Sequence, residues 1–154
     1  VIRAHVLAMY LPSLAAGFLI DRVGVTRLMI VGALGLLATS IIGLQGHTFM
    51  HYWWALVLLG IGWNFLYVGG TTLLTYTYSM AERYRAQAVN EFLVFGVSAA
   101  ASLLAGTVMF YFGWTTLMLV PIPVLIAITV ALVVVRKDPL LQRRITNVEG
   151  EAFD

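Results

Sequence analysis

No cysteine occurs among the 154 residues, which excludes a disulfide framework, thiolate chemistry and a cysteine-held metal. Charge is almost as scarce: Asp, Glu, Lys and Arg make up only 10% of the chain, against 61% hydrophobic residues. Mean hydropathy is +0.94. A water-soluble domain of this length cannot cover so much apolar surface, so the solvent for most of the chain is lipid. The net charge of +2 does not point to nucleic acid, because the nine basic residues lie in short clusters between apolar runs. A basic stretch ahead of a short apolar one is also missing. The chain opens with Val1 inside an apolar segment, so it reads as the C-terminal piece of something longer and not as a signal peptide.

What is present is a series of apolar runs, each about one membrane thickness long. They predict five transmembrane helices over residues 1–20, 28–44, 52–79, 86–112 and 114–135. Residues 136–154 form a polar tail, basic first and acidic last, expected to be poorly ordered. Five spans place the connectors on alternating sides. Arg22, Arg27, Arg83, Arg85, Arg136, Lys137, Arg143 and Arg144 then share one side, and Arg3 alone lies on the other. The positive-inside rule makes the charged connectors and the tail cytoplasmic, with His47, His51, Tyr52, Trp53 and Trp54 at the outer interface.

The third run carries unusual polar content at depth. Over Tyr52 to Ser79 it makes a helix of about 40 Å, and Asn64, Thr71, Thr75 and Tyr78 follow one another at intervals that keep them on one face. A polar face in hydrocarbon must look at protein, water or a ligand. Asn64 can both donate and accept, so it reads either as lining a transport path or as tying two helices together. Thr71, Thr72 and Thr75 can bond the carbonyl of the preceding turn. Gly69 and Gly70 suit close packing or bending.

The most specific signal is GFLIDRVGVTR, Gly17 to Arg27. A small residue is followed by an acid at i+4, a base, a turn glycine and a second base. This resembles the signature loop of the major facilitator superfamily, G-x-x-x-D-R-x-G followed by basic residues. In that family the loop joins the second and third helices and recurs in weaker form between the eighth and ninth. Val25 and Thr26 stand where further basic residues are usual, a departure that fits the weaker copy. HVLAMYLPSL (His5 to Leu14), GWNFLYVGGTTLLT (Gly62 to Thr75) and NEFLVFG (Asn90 to Gly96) resemble the eighth, tenth and eleventh helices of a bacterial branch. The resemblance implies that these line a central cavity while the remaining two spans support them. It assigns Gly17, Asp21, Arg22, Gly24 and Arg27 to a conformational latch in which Asp21 accepts hydrogen bonds from a neighbouring helix N-terminus.

Two further residues have alternative readings. Glu91 is the one acid inside a span, on a stripe with Phe95, Ser98 and Ser102. It reads either as a proton-coupling or gating carboxylate, or as a charge near a helix N-terminus paired with a cytoplasmic arginine. His5 reads as a proton-exchange site or as a hydrogen-bonded interface residue. His47 and His51 are spaced i, i+4 but lack the further ligands a zinc site needs. Pro12, Pro121 and Pro123 suggest kinks, and Gly96, Ala99, Ala100, Ala101, Ala105 and Gly106 suggest a tight packing surface.

The sequence thus predicts an all-α integral membrane protein, the last five helices of a twelve-helix facilitator. The implied function is secondary active transport of a small molecule by alternating access, with proton coupling, in a bacterial plasma (inner) membrane. Its path residues would be Asn64, Thr71, Thr75, Tyr78, Ser98 and Ser102. The rival reading is a non-transporting membrane scaffold or assembly subunit. No catalytic set, metal or cofactor is expected. The expected partners are a small-molecule substrate, membrane lipid and the N-terminal half of the same transporter, with no nucleic acid.

Overall fold

Proline and glycine punctuate the apolar runs and so set where the helices begin and end. The computed structural model describes residues 1–46, 48–139, 141, 142 and 145. Its six helices are α1 (Ile2–Tyr10), α2 (Ser13–Val23), α3 (Val25–Gln45), α4 (Phe49–Thr75), α5 (Arg83–Leu119) and α6 (Pro121–Val135). Val25–Gln45, Phe49–Thr75 and the continuous run Arg83–Val135 are each long and apolar enough to cross a membrane. The pair α1 and α2, bent by 46°, makes a fourth such unit.

The bend follows from Pro12. Proline has no N–H to donate and its ring crowds the preceding turn, so carbonyls of α1 lose their helical partners. Ser13 Oγ donates to the Tyr10 carbonyl at 2.5 Å and restores one of them. Gly24 separates α2 from α3 at φ 88° and ψ 145°, a conformation that strains any residue with a Cβ.

The run Arg83–Val135 contains 53 residues. Straight, it would reach about 80 Å, far more than a bilayer of about 30 Å. Gly113, at φ 78° and ψ 179°, turns it back. Trp114, just past the turn, donates from Nε1 to the Gly43 carbonyl at 2.7 Å and packs edge-on against Tyr52. Arg136, at the other end of α6, shares a cavity with Gly24 and Tyr76. The chain therefore crosses five times. Gly24, Tyr76 and Arg136 mark one end of the bundle, and Gly43, Tyr52 and Trp114 mark the other.

Helices α3 and α4 form the best-packed pair, flanked by α1 and α6. Their contact is made of small residues. A Cβ on Gly32 would lie 2.9 Å from the Gly62 carbonyl oxygen, and one on Gly62 would lie 2.8 Å from that of Gly32. Gly60 faces α1 as closely, 2.8 Å from the His5 carbonyl oxygen. Lipid gives no hydrophobic drive for helices to associate, so such backbone approach supplies the packing.

Several boundaries differ from those expected. Helix α4 stops at Thr75 and not at Ser79, because Tyr76 N and Thr77 N bond back to Leu73 and Leu74 in a closing turn. Tyr78 consequently lies off the helix. Helix α5 begins at Arg83, after a turn in which Ser79 Oγ donates to Glu82 at 3.0 Å. Pro121 opens α6, but Val120 before it keeps helical angles, φ −53° and ψ −43°, so the chain runs on from α5 into α6 as one continuous stretch. The small residues of α5 are not a packed surface in this chain: no residue of α5 is buried, and a Cβ at Gly96 or Gly106 would meet nothing within 4 Å.

Candidate functional site

Around the middle of the bundle, α1, α2, α4 and α5 enclose a cavity of about 620 Å³. Asn64, Ser13, Ser98 and Ser102 provide its polar points, and Tyr10, Trp63, Tyr67 and Phe95 its aromatic wall. The position of Asn64 follows from the kink in α1. Breaking the helix at Pro12 frees carbonyls, and Asn64 Nδ2 donates to that of Met9 at 2.7 Å. The residue is 4% exposed, and its Oδ1 is sealed without a hydrogen-bond partner. One half of the amide thus ties α4 to α1, and the other half is an unused acceptor beside the cavity.

The aromatic wall is built on helical spacing. Trp63 and Tyr67, one turn apart on α4, hold their rings nearly parallel, with centroids 6.5 Å apart and planes 9° apart. Phe95 of α5 approaches Tyr67 at 6.2 Å. The Tyr67 hydroxyl donates to the Glu91 carboxylate, 3.0 Å from Oε1 and 2.9 Å from Oε2. Glu91 is therefore partnered by a tyrosine across the helix pair, and not by the arginine that the simpler sequence reading expected. Its depth on α5 puts it level with Tyr67, more than a turn beyond Arg83 and Arg85.

The six path residues do not share one site. The structure brings Asn64, Ser98 and Ser102 to the 620 Å³ cavity, whereas Thr71, Thr75 and Tyr78 line a separate space of about 720 Å³ at the Tyr76 end. Seven residues of α4 separate Asn64 from Thr71, about 10 Å along the axis, so a shared face does not make a shared cavity. Thr71, Thr72 and Thr75 bond carbonyls of their own helix, as Ser102 does with Ser98. Tyr78 accepts from Gln87 at 2.8 Å.

In the loop from Gly17 to Arg27, Gly24 makes the positive-φ turn. Arg22 sits 4.4 Å over the Phe18 ring, and Asp21 and Arg27 are exposed. Among the described residues Asp21 accepts no hydrogen bond, and Gly17 faces open space instead of a neighbouring helix.

His5 Nδ1 bonds the Leu56 carbonyl at 2.7 Å, joining α1 to α4. His51 Nδ1 and the Thr48 hydroxyl share a 2.6 Å hydrogen bond at the start of α4. His47, Arg143, Arg144 and residues 146–154 lie outside the described residues, so the order expected of the tail has no structural counterpart here. Sequence reasoning passed over Trp63, Tyr67, Tyr10 and Ser13. The i, i+4 spacing of Trp63 and Tyr67 was visible as a signal, but the pairing of Tyr67 with Glu91 requires the rotation of two helices.

A family model described as Major Facilitator Superfamily matches residues 3–152. A riboflavin transporter, RfnT, of Brucella anthropi is 39% identical over 132 residues, covering 86% of this chain and 33% of the relative. Two uncharacterized MFS-type transporters of Bacillus subtilis, YdeG and YddS, are 37% and 34% identical, covering 70% and 76% of this chain. The chain spans a third or less of the length of these relatives: 33%, 26% and 27%. No solved structure matches it significantly. With the family model spanning nearly the whole chain and five apolar crossings built around it, the chain belongs to the Major Facilitator Superfamily.

Proposed function

We propose that this chain supplies helices eight to twelve of a secondary transporter that moves a planar aromatic small molecule by alternating access. The observation that carries the reading is the 620 Å³ cavity, with its parallel Trp63 and Tyr67 rings and serine hydroxyls at mid-depth. An apolar, aromatic wall with a few fixed polar groups is the usual make-up of a small-molecule site, and offset stacking favours flat, unsaturated rings. Riboflavin is the first compound to try, because a relative bearing that substrate's name is 39% identical. The site is completed by helices outside this chain, and the mechanism is the rocking of two halves about a midplane site.

Glu91 is the group we assign to ion coupling, as a carboxylate at membrane depth whose partner is also part of the cavity wall. The transporter resides in a bacterial plasma membrane, with the Gly24, Tyr76 and Arg136 end on the cytoplasmic side. The transporter relatives favour a carrier over an enzyme.

The test uses single cysteines in the full-length protein, a background to which this chain contributes no native cysteine. A cysteine at Ser98 or Ser102 is expected to react with a small hydrophilic thiol reagent and to be protected by saturating riboflavin. Reaction without protection by riboflavin, but with protection by another transported compound, corrects the substrate and keeps the carrier. Both positions remaining unreactive from either side of the membrane would establish a sealed scaffold instead.

A further inference from the structure

A third cavity, of about 370 Å³, lies at the Tyr76 end of the bundle, where α2 turns into α3. Gly24, Thr26, Arg27, Tyr76 and Arg136 line it, bringing together α3, the end of α4 and the end of α6. We propose that it is a binding site for a phosphate group, in the first instance the headgroup phosphate of an anionic phospholipid.

Three independent features converge. The first is the start of α3, a helix of 21 residues whose cap, Gly24, offers no side chain to the first-turn amides. The N–H groups of Val25, Thr26 and Arg27 precede the first helical bond, from Leu28 N to the Gly24 carbonyl, so they have no acceptor within the helix. Such donors, with the positive end of the helix dipole, favour an anion. The second is Thr26. It is only 5% exposed, yet its hydroxyl has no hydrogen-bond partner among the described residues, while the residue forms part of the cavity wall. Asn64 Oδ1 is the sealed side-chain atom without a partner among the described residues, so the Thr26 hydroxyl is not sealed, and its donor is open to the cavity that the residue lines. The third is the pair Arg27 and Arg136, two guanidinium groups from different helices that line the same space and form no ion pair among the described residues. Asp21 and Asp138 are the acids nearest in sequence, and neither lines the cavity.

The donor set selects the ligand. Two guanidinium groups, first-turn amides and a hydroxyl present more donors than the two oxygens of a carboxylate can use. A phosphate has several acceptor oxygens and suits bidentate arginine. Position selects the source. The cavity lies where apolar α3 begins and apolar α6 ends, the level at which headgroups sit, and basic pockets between transmembrane helices bind anionic headgroups.

The experiment uses the purified full-length transporter in detergent, followed by its thermal unfolding midpoint at constant ionic strength. The probes are dioctanoyl phosphatidylglycerol, dioctanoyl phosphatidylcholine and sodium phosphate. Phosphatidylglycerol is expected to raise the midpoint saturably, and phosphatidylcholine to do so far less. The double variant Arg27→Gln, Arg136→Gln should weaken the apparent affinity by about a hundredfold, at roughly tenfold per guanidinium removed. A saturable response to sodium phosphate alone, lost in that variant, supports the same site with a soluble occupant. Equal responses in wild type and double variant, or equal responses to the two lipids, would overturn the proposal. If the double variant does not fold, Thr26→Val keeps both charges and nearly the same shape. A several-fold loss of phosphatidylglycerol affinity in it supports the site, and an unaltered response overturns it.

Discussion

Helices α4 and α5 are both long, apolar and glycine-containing, yet this chain treats them in opposite ways. Helix α4 buries Ala55, Gly60, Gly62, Asn64 and Gly69, all but Gly70 of its glycines and alanine plus its one carboxamide. Helix α5 buries none of its residues, and Phe92, Leu103 and Phe110 are each more than three-quarters exposed. Small residues alone do not produce packing. They pack only where a second backbone approaches, as α3 approaches α4 at Gly32 and Gly62. The difference separates what this chain determines by itself, the α1–α3–α4–α6 cluster, from what it leaves to lipid or to the rest of the protein.

The sharpest way to break that contrast is to add a side chain to each helix. Gly62→Val would push Cβ atoms into the Gly32 carbonyl and the Leu36 side chain, both 2.8 Å from a modest Cβ. Overpacking of this kind costs about 1–3 kcal/mol and more where backbone blocks it. The full-length variant should accordingly be lost from the membrane or lose several degrees of thermal stability in detergent. Gly106→Val on α5 meets nothing within 4 Å, and its yield and melting temperature should stay near wild type. A Gly106→Val collapse as severe as that of Gly62→Val would show that the rest of the transporter packs against α5 at this level.

The next effect in size concerns Asp21, which has no partner on the helices seen here. If the acid latches a helix N-terminus in one state and releases it in another, Asp21→Asn should leave expression near normal while transport falls roughly tenfold. Unimpaired uptake or efflux with normal surface amounts would remove the latch from the Gly17–Arg27 loop.

The five crossings were legible because lipid imposes a simple rule, that every span be long and apolar, and the runs of this chain satisfy it. Boundaries were less legible where polar residues settle the ends locally: hydropathy carries on through Tyr78, but the backbone bonds of Tyr76 and Thr77 end α4 at Thr75. Asn64 was singled out by its depth, and the structure sets it against both Met9 and the cavity. Thr71 was grouped with it by angular position alone, which ignores the axial distance and the tilt of α5. The Tyr67–Glu91 contact, 24 residues apart in sequence, depends on how α4 and α5 rotate, and no local pattern encodes that.

That contact gives a smaller and more selective effect, because it joins the packed helix to the open one. Tyr67→Phe keeps the ring beside Trp63 and deletes only the hydroxyl on Glu91. Hydrogen bonds to charged groups contribute about 1.5–3 kcal/mol, so a change of about tenfold in the ion dependence of transport is expected. The affinity for an aromatic substrate should change little, since the ring remains. Trp63→Leu should do the reverse, weakening substrate affinity by several-fold, in line with about 0.5–1.5 kcal/mol per aromatic pair. The two variants behaving alike would mean that platform and carboxylate act as one structural unit, without separable roles.

The smallest expected effect is the stability change at Asn64, and it discriminates best between a path residue and a tie between helices. Asn64→Leu removes the sealed Oδ1, a buried acceptor without a partner, and at the same time leaves the Met9 carbonyl without its donor. One unpaired group disappears and another is created, each costing about 1–3 kcal/mol, so these terms largely cancel. What remains is one interhelical hydrogen bond, worth on the order of 0.6 kcal/mol in a membrane bundle. The melting temperature should therefore shift by no more than a few degrees. Transport should fall much further if the amide turns toward the substrate when α1 moves, because Oδ1 is the acceptor that is still available. Reactivity reports the same movement. At 4% exposure a cysteine at Asn64 should label slowly while α1 holds its place, and faster in conditions that favour the opposite-facing state. A leucine variant that misfolds, with a cysteine that never labels in any state, would leave Asn64 as the brace of the Pro12 kink and hand the substrate to Trp63, Ser98 and Ser102.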